Sequence, residues 1–505
     1  MNAEALFALL RRRGFLWPTA ELYGGSAGLY DYGPLGAAVK RRIEEAWTAW
    51  FVGLSDDYYL IEPPEILPES VLKASGHVEN FTDPEVSCGR CHAVFRADSV
   101  LERWRPDGVD GLPPEAIGAL LAEHHVTCPS CGAAALTVPR PFNLMFGLEL
   151  GVQGAERGYL RPETAQNSFL AFPRMWEIGR RALPLGIGVI GRAYRNEIAP
   201  RQVLYRMRAF TQAELQIFFD PAAFPVPLDD VAATPLPVVR AERRLAGDER
   251  VTPTTAAALV DGGLPAFYVY HLAQLCRFAT ESLGLPADGI RLLEKSDAER
   301  AFYNRIQFDL EASVESLGGF REIGALHYRG DYDLARHAAG AKKDLSVAPA
   351  GGGRVLPHVL EVTLGIDRSF WAVADRGLRT DGDRTVWGLP AFLAPFPVGV
   401  LPLLKKPHGD AARGILEALR AEGIDGEYDD AASIGRRYAR LDEAGVPFAV
   451  TVDGSTLDPA DPAHGTVTLR ERDSRAQRRV GVPELVATVR RARRPPRARP
   501  AAPVP

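Results

Sequence analysis

The segment from Tyr205 to Phe219 constrains the fold most, because its polar and apolar residues alternate. In a β-strand, successive side chains point to opposite faces of the sheet. One face is apolar and must be buried; the other carries Arg206, Arg208, Phe210, Gln212, Glu214 and Gln216. Such a row suits a nucleotide, since arginine binds phosphate oxygens, an aromatic ring stacks on a base and a carboxylate accepts from an exocyclic amine. A solvated strand face remains the alternative at this point.

A second strand is predicted upstream, where the apolar residues Leu185 to Ile190 precede the sequence Arg195-Asn196-Glu197. If this segment is extended, alternation places the side chains of Arg195 and Glu197 on the same face. The pair would then add a cation and a carboxylate to the row on the neighbouring segment.

A third strand is predicted over Leu360 to Leu364, in which Glu361 and Thr363 alternate with apolar residues. Gly365 ends this strand, and Arg368 stands at the start of a helix predicted over 369–374. A helix N-terminus combined with an arginine is a favourable phosphate site, although a GxxR pattern alone is common.

Two CxxC pairs predict a metal site. Their 36-residue separation and knuckle spacing suit a tetrahedral, structural Zn²⁺ site with no open coordination position, formed by Cys88, Cys91, Cys128 and Cys131. Free or oxidised thiols are the alternative. The odd total of five cysteines favours metal binding in a reducing cytosol over disulfides.

Length, charge and composition exclude few classes of protein. A length of 505 residues predicts two or three domains, and a net charge of −5 neither favours nor excludes nucleic-acid binding, because a basic patch can lie on an acidic protein. No apolar run is long enough for a transmembrane helix. The stretch Ala5 to Leu10 precedes three arginines, the reverse of the order in a signal peptide. A cytoplasmic protein with no membrane partner is expected.

Together these strand segments resemble motifs 2 and 3 of the class II aminoacyl-tRNA synthetases. Motif 2 is R-x-E, a loop and R-x-x-x-F, and motif 3 ends with a glycine turn and an arginine. The matching residues, in the same order and spacing, are Arg195, Glu197, Arg206, Phe210, Gly365 and Arg368.

Further segments resemble the dimeric type of glycyl-tRNA synthetase. They cover nearly the whole chain apart from two insertions and the tail. They are YGGSAGLYDYGPLG (23–36), PRPFNLMF (139–146), LRPETAQ (160–166), RNEIAPR (195–201), GDYDLARH (330–337), KKDLS (342–346), PHVLEVTLGIDR (357–368), IGRRYARLDEAGVPFAVTVD (434–453) and VTLRERDSRAQ (467–477).

The resemblance implies an α/β fold of the α+β kind. Its catalytic domain, expected over 1–390, is a six- or seven-stranded antiparallel sheet flanked by helices. Insertions are expected at 83–138, with the four cysteines, and at 221–300. From the helix–strand alternation, a small α/β domain with a mostly parallel sheet is expected over 395–492, and it resembles an anticodon-binding domain. The Arg/Pro-rich tail, 493–505, is expected to be disordered.

The resemblance also implies a reaction. Glycine and ATP would form glycyl-adenylate and pyrophosphate, and the glycyl group would pass to the 3′ end of tRNA(Gly). Arg195, Arg368, Glu322 and Glu361 are the expected catalytic residues, the two glutamates as ligands of Mg²⁺ and ATP. The expected ATP-binding residues are Arg195, Asn196, Glu197, Tyr205, Arg206, Phe210, Glu322, Ile323, Gly365 and Arg368.

By the same resemblance, carboxylates would receive the amino group of glycine. The expected substrate residues are Arg96, Glu163, Phe210, Gln212, Glu214, Arg329, Glu361 and Thr363. The anticodon would be contacted by arginines among Arg436, Arg437, Arg470 and Arg472. A homodimer is expected from the family, with tRNA(Gly) rather than DNA as the nucleic-acid partner.

The sequence departs from the family around the glycine pocket. Thr363 replaces a serine, Ala325 to Gly330 replaces G-I-A-N-R-T, and Ala209 stands where an acid is common. These changes leave two alternatives open: a divergent synthetase paralogue for another small amino acid or acceptor, and a non-catalytic tRNA-binding homologue. Retention of the motif arginines and glutamates counts against the second.

Overall fold

The computed structural model describes residues 2–104, 109, 112–152, 154, 156–200, 202–223, 228–349 and 352–498. The N-terminal region packs one long helix against the main sheet. Its elements are α1 (Ala3–Arg12), β1 (Leu16–Pro18), β2 (Tyr30–Tyr32), α2 (Pro34–Phe51) and β3 (Tyr58–Ile61). Proline is favoured at the first helical position, and α2 then buries Val39, Ile43, Trp47 and Trp50, which recur at helical spacing.

The cysteine-bearing insertion is built from two small sheets and short helices. Its elements and their flanks are β4 (Ile66–Pro68), α3 (Glu69–Ala74), α4 (His77–Asn80), β5 (Thr82–Ser87), β6 (Val94–Arg96), α5 (Ala97–Leu101), α6 (Pro114–Glu123), β7 (Arg140–Asn143), β8 (Gly147–Leu150) and β9 (Glu156–Leu160). The sheet orders are β6-β5-β7 and β4-β9-β8. Val86, Leu101 and Ile117 belong to a separate apolar cluster, so the insertion has a small core of its own.

The remaining catalytic elements form most of the main sheet, its helices and a separate two-stranded sheet of β18 and β19. They are α7 (Ala165–Ile178), β10 (Leu185–Tyr194), β11 (Ala209–Phe219), β12 (Pro235–Val239), α8 (Ala241–Leu245), β13 (Thr252–Thr255), α9 (Ala256–Asp261), α10 (Ala266–Arg277), β14 (Ile290–Glu294), β15 (Ile306–Val314), β16 (Gly319–Gly330), α11 (Tyr332–Ala341), β17 (His358–Gly365), α12 (Ile366–Gly377), β18 (Leu378–Asp381) and β19 (Arg384–Trp387).

The main sheet has nine strands in the order β13-β12-β14-β15-β16-β17-β11-β10-β3. The six strands from β14 to β10 in this order pair antiparallel, as predicted, and β3 adds a parallel seventh. The apolar face of β11, with Leu215 and Ile217, lies in the main core as the alternation predicts. The opposite face is also buried, because Glu214 and Gln216 are covered by the segment that leads into α7.

The structure differs from the predicted insertion over 221–300. Strands β12 and β14 extend the main sheet, and α10 lies inside the main core. Helix α10 is buried on nearly all sides, so it lacks the polar face that makes a helix recognisable in sequence. Residues 228–300 are therefore continuous with the catalytic domain.

The C-terminal domain alternates strands and helices. Its elements are β20 (Val398–Pro402), α13 (Lys405–Ala421), β21 (Gly426–Tyr428), α14 (Ile434–Glu443), β22 (Phe448–Val452), α15 (Gly454–Leu457), β23 (Thr466–Glu471), β24 (Gln477–Gly481) and α16 (Val482–Ala492). The sheet order is β21-β20-β22-β23-β24, with three parallel strands followed by two antiparallel ones. The sheet is thus more evenly mixed than the predicted, mostly parallel one.

The predicted disordered tail, residues 493–505, lies only partly within the described part of the chain. Residues 493–498 are irregular, and Ala498 is buried against the main core. Residues 499–505 lie outside the described part of the chain. Within the described residues, no helix combines the length and the hydropathy that crossing a membrane requires.

Gly36 allows a close approach that fixes α2 against the N-terminal strand. A Cβ on Gly36 would lie 1.9 Å from the carbonyl oxygen of Phe15, a backbone atom that cannot turn away. We predict that Gly36→Ala lowers the free energy of unfolding by about 1 to 3 kcal/mol, measured by urea denaturation. Gly414→Ala is the control: Gly414 lies in α13 with no atom within 4 Å of an added Cβ, so stability should rise by up to about 1 kcal/mol. Equal stability of Gly36→Ala and the wild type would contradict this packing.

Candidate functional site

Cross-strand register assembles the polar face of the main sheet. Gln212, Glu214 and Gln216 on β11 stand opposite Gly365, Thr363 and Glu361 on β17, respectively. His327 on β16 stands opposite Glu361 from the other side. Directly opposed residues point to the same face, so residues more than 100 positions apart in sequence share one surface.

A cavity of about 330 Å³ opens beside this face. It contains eight of the ten predicted ATP-binding residues and four of the predicted substrate residues. The residues are Arg195, Glu197, Tyr205, Arg206, Phe210, Glu322, Gly365 and Arg368, together with Arg96, Gln212 and Thr363. Motif order had predicted this grouping, and the fold brings it together.

Sequence reasoning missed one wall of the cavity. This wall includes Asn80, Phe81, Thr82 and Asp83, which lead from α4 into β5 at the base of the cysteine-bearing insertion. No nucleotide-like pattern marks this segment. Its position in the cavity wall follows only from where the insertion joins the catalytic domain.

Arg195 packs against two aromatic rings. Its guanidinium carbon is 5.2 Å from the ring centroid of Phe210 and 5.2 Å from that of Phe81. Its Nε donates to the carbonyl of Pro162 at 3.2 Å. A guanidinium that packs against two rings stays in place while its N–H groups remain able to bind an anion.

Glu197 offers a buried hydrogen-bond acceptor to the cavity. The residue is 8% exposed, and its Oε2 has no hydrogen-bond partner among the described residues. The Nε of Arg206 lies 3.9 Å from this oxygen. A buried carboxylate oxygen without a donor is costly, so this position favours a ligand that carries an N–H group.

Arg368 and Glu322 form the outer edge of the cavity. The Nη1 of Arg368 lies 2.9 Å from Glu322 Oε1, and both side chains are partly exposed. On the opposite wall Arg96 pairs with Asp83 and Asp98. Burial, with Glu197 nearby, raises the pKa of Asp83 to about 6 even though Arg96 lowers it.

A cluster of buried carboxylates lies deeper along the same face, and Arg329 is its central cation. Arg329 donates to both oxygens of Asp333 at 2.7 and 2.9 Å and to Glu361 Oε2 at 2.8 Å. Its Nη2 lies 3.9 Å from Glu163 Oε1. Four of the predicted substrate residues, Glu163, Glu214, Arg329 and Glu361, thus share one buried environment.

The carboxylates of this cluster differ in their partners. Glu163 accepts from Gln166 at 2.9 Å, and Glu214 accepts from the hydroxyl of Thr164 at 2.7 Å. Glu361 accepts from Gln216 at 2.7 Å as well as from Arg329. Burial alone would raise the pKa of Glu163, but His77, Arg329 and Gln166 bring it below its usual range.

Within this cluster, the negative charge of Glu214 is the least compensated by cations and hydrogen-bond donors. Burial, together with the charges of Glu361 and Glu163, raises its pKa to about 8, and the bond from Thr164 offsets this only in part. At neutral pH the empty site therefore favours a protonated Glu214. A cationic ligand would favour its ionised form.

Two predicted ATP-binding residues do not line the cavity. The side chain of Ile323 is buried in the main core. Asn196 instead uses its backbone: its N–H donates to the carbonyl of Leu144 at 2.7 Å. The burial of Ile323 keeps its side chain from a ligand in the cavity.

Three of the four arginines predicted to contact an anticodon are buried inside the C-terminal domain. Arg437 donates to the carbonyls of Asp430 and Ala432, Arg470 binds Asp442 through two hydrogen bonds, and Arg472 donates to the carbonyls of Gly445 and Leu389. Arg437 and Arg470 hold the domain together, and Arg472 also ties it to the segment before β20, so these three arginines are not available to a base. Arg436, on α14, is exposed.

The four cysteines of the CxxC pairs converge, as their spacing predicts. The sulfur atoms all lie within 4.8 Å of one another. Cys88 Sγ is 3.7 Å from Cys131 Sγ, and Cys91 Sγ is 3.6 Å from Cys128 Sγ. A tetrahedral ion with bonds of about 2.3 Å to sulfur has S···S edges of about 3.8 Å, so this cluster can hold a metal ion.

The raised pKa of Glu214 predicts a pH-dependent effect of removing its charge. The unfolded chain loses this proton near pH 4.5 and the folded chain near pH 8, so the folded protein holds more protons between these values and its stability falls as pH rises. We expect Glu214→Gln to gain stability relative to the wild type between pH 5 and pH 8, by at most about 1.4 kcal/mol per pH unit. Urea denaturation at both pH values measures the difference, and a constant difference would contradict the raised pKa.

Comparison with known proteins agrees with this geometry. Residues 397–492 match the family model described as "Anticodon binding domain". A solved prolyl-tRNA synthetase from Cryptosporidium parvum, complexed with L-proline and AMP, has the same fold with a TM-score of 0.55 at 13% identity, covering 96% of this chain and 74% of that one.

Curated relatives match over nearly the full length. The glycine--tRNA ligase of Thermococcus gammatolerans is 36% identical and covers 96% of this chain and 98% of its own length. That of Methanothermobacter thermautotrophicus is 36% identical and covers 98% of this chain and 99% of its own length. Sequence motifs, fold and relatives agree, and the chain therefore belongs to the glycine--tRNA ligase family of class II aminoacyl-tRNA synthetases.

Proposed function

We propose that this protein joins glycine to tRNA(Gly), first forming glycyl-adenylate from glycine and ATP. The observation that carries the proposal is the juxtaposition of two environments on one sheet face. An arginine-rich cavity contains Arg195, Arg206 and Arg368, and a buried carboxylate cluster adjoins it. The first suits a triphosphate and the second suits an ammonium group.

On the nucleotide side, each cavity residue has a role that fits its surroundings. Adenine would stack on Phe210, and its exocyclic amine would donate to the open Oε2 of Glu197. Arg206 and Arg368 would bind the γ-phosphate. Arg195 would bind the α-phosphate and the glycine carboxylate at the point where they react.

The reaction requires positioning more than acid–base chemistry. The glycine carboxylate oxygen attacks the α-phosphorus, the bond from that phosphorus to the bridging oxygen breaks, and pyrophosphate leaves with the electron pair. Holding the two reactants in line, with cations on the phosphate oxygens, supplies most of the acceleration. This explains a site made of arginines and carboxylates without a nucleophilic side chain.

On the amino-acid side, Glu163 and Glu214 would receive the ammonium group of glycine. Thr363 lines the cavity and donates to Glu361 Oε1 at 3.1 Å, so its hydroxyl is fixed, and its methyl group adds volume that a serine would lack. A pocket selects glycine mainly by lacking room for a side chain, so this extra methyl favours glycine over alanine.

Of the two glutamates expected to hold Mg²⁺, Glu322 fits better. It lines the cavity and is partly exposed, whereas Glu361 is 4% exposed and accepts hydrogen bonds on both oxygens. Mg²⁺ bound with ATP would neutralise phosphate charge. We therefore assign Glu322 to the metal side and Glu361 to the buried cluster.

The four thiols would hold a structural Zn²⁺ ion, because the cluster leaves no open ligand position. Its sulfur atoms join the β5–β6 turn to the segment that follows α6. Such an ion would stabilise an insertion whose own apolar core is small. Reduced thiols also favour a cytoplasmic location.

The partners follow the family's pattern. The C-terminal domain would contact the anticodon of tRNA(Gly), with Arg436 as the exposed candidate. A homodimer would cover Leu22 and Tyr23, which are 97% and 91% exposed next to the β1–β2 hairpin. The departures at Ala209 and Ala325 to Gly330 favour one second candidate, a paralogue that accepts another small amino acid.

ATP–pyrophosphate exchange tests the activity directly. We expect exchange with glycine and none with alanine, serine or no amino acid. Glu197→Gln should raise the KM for ATP by about tenfold and leave the KM for glycine nearly unchanged, since it weakens only the adenine contact. Exchange with another amino acid but not with glycine would favour the paralogue, and no exchange with any would contradict the proposed activity.

Metal analysis tests the cysteine site. We expect one zinc ion per wild-type chain, loss of that ion in Cys91→Ser, and faster proteolysis of the insertion in that variant. Cys276→Ala is the control, because Cys276 is buried in the main core away from the cluster, and it should retain the metal. A wild-type chain that remains metal-free after growth with zinc would contradict this assignment.

A further inference from the structure

His77 and Phe81 stand one helical turn apart and contact each other. Both belong to the turn formed by α4 and the residue that caps it, and their ring centroids are 5.6 Å apart. Residues at positions i and i+4 share one helix face, so the two rings form a unit. This unit lies at the base of the cysteine-bearing insertion, directly before β5.

His77 reaches the carboxylate cluster. It is 3% exposed, and its Nε2 lies 3.5 Å from Glu163 Oε1. Its Nδ1 lies 2.8 Å from the hydroxyl oxygen of Ser75, which fixes the orientation of the ring. A second ring, that of His337, has its Nε2 2.8 Å from Gln166 Oε1, and Gln166 in turn donates to Glu163.

Phe81 reaches the nucleotide cavity. Its ring packs on the guanidinium of Arg195, as that of Phe210 also does. The backbone links the same two segments: Leu144 N–H donates to the carbonyl of Phe81 at 3.0 Å, and Asn196 N–H donates to the carbonyl of Leu144 at 2.7 Å. The position of Phe81 is thus tied to that of Arg195 by side chain and backbone together.

We infer that the His77–Phe81 pair is a positioning unit that sets the separation between Glu163 and Arg195. The inference rests on the proposed function, in which Glu163 receives the ammonium group of glycine and Arg195 its carboxylate. Glycine is only a few atoms long, so both of its ends bind well only when these two groups are correctly spaced. Neither His77 nor Phe81 needs to touch glycine, because each acts through the group it holds.

Pyrophosphate exchange by His77→Ala, Phe81→Leu and the double variant tests this role. Adenylate formed in a single turnover gives the fraction of active sites and corrects for misfolded protein. Each single change should raise the KM for glycine by about tenfold to a hundredfold, because small misplacements of binding groups are costly. For His77→Ala, the KM for ATP should change by less than about threefold.

The pair should act as a unit. The double variant should lose little more than the worse single variant, since interacting residues give non-additive effects. The conservative variants His77→Gln, which keeps a donor, and Phe81→Tyr, which keeps the ring, should recover most of the glycine affinity. His271→Gln is the control: His271 is equally buried but bonds to the carbonyl of Phe267 inside the main core, and its KM for glycine should not change.

The outcomes separate this inference from the proposed function. A wild type that exchanges with glycine, together with single variants of unchanged glycine KM, would overturn the positioning role alone. The positioning role would also be overturned if the two effects on the glycine KM multiply in the double variant. It would be overturned as well if His77→Gln and Phe81→Tyr fail to recover the glycine affinity. A wild type without glycine-dependent exchange would overturn both.

Discussion

The buried guanidinium of Arg329 is the interaction on which the candidate site depends. It is 1% exposed and is bonded to Asp333 and Glu361, with Glu163 at 3.9 Å. Burying several carboxylates together is costly unless a cation and hydrogen-bond donors compensate them. Arg329 makes such a cluster tolerable within the fold, yet it leaves Glu214 incompletely compensated. An incoming ammonium group would supply the missing cation and favour the ionised form of Glu214.

The register between β11 and β17 determines which side chains belong to this cluster. Because β11 pairs with β17 in one fixed alignment, Glu214 lies beside Thr363 and Gln216 lies beside Glu361. A shift of β11 by one residue would send Glu214 and Gln216 to the apolar face, which α2 and α12 fill, so the buried core enforces the alignment. The cation-rich cavity and the carboxylate cluster are adjacent for the same reason, since both are built on neighbouring positions of the same strands.

Much of this arrangement follows from the sequence, and the rest depends on long-range packing. Alternation along residues 205–219 gave the strand and its faces, and CxxC spacing gave the sulfur cluster. The segment 228–300 was not recognised because its central helix, α10, is apolar on nearly all sides and its strands are short. The contact of His77 with Glu163 and that of Phe81 with Arg195 could not be predicted from the sequence. They span about 85 and about 115 residues, respectively, and follow no local pattern. Arg470 and Arg472 looked like nucleic-acid contacts because a charged residue on a strand gives no sign of whether Asp442 or a backbone carbonyl will bury it.

A crystal structure of the protein with glycine and a non-hydrolysable ATP analogue tests the central claim most directly, namely that one sheet face binds both reactants. The account predicts electron density for the glycine ammonium group within hydrogen-bonding distance of Glu163 and Glu214, with the adenine against Phe210 and its amine at Glu197. An ammonium group bound elsewhere, or a nucleotide outside the cavity around Arg195 and Arg368, would contradict it.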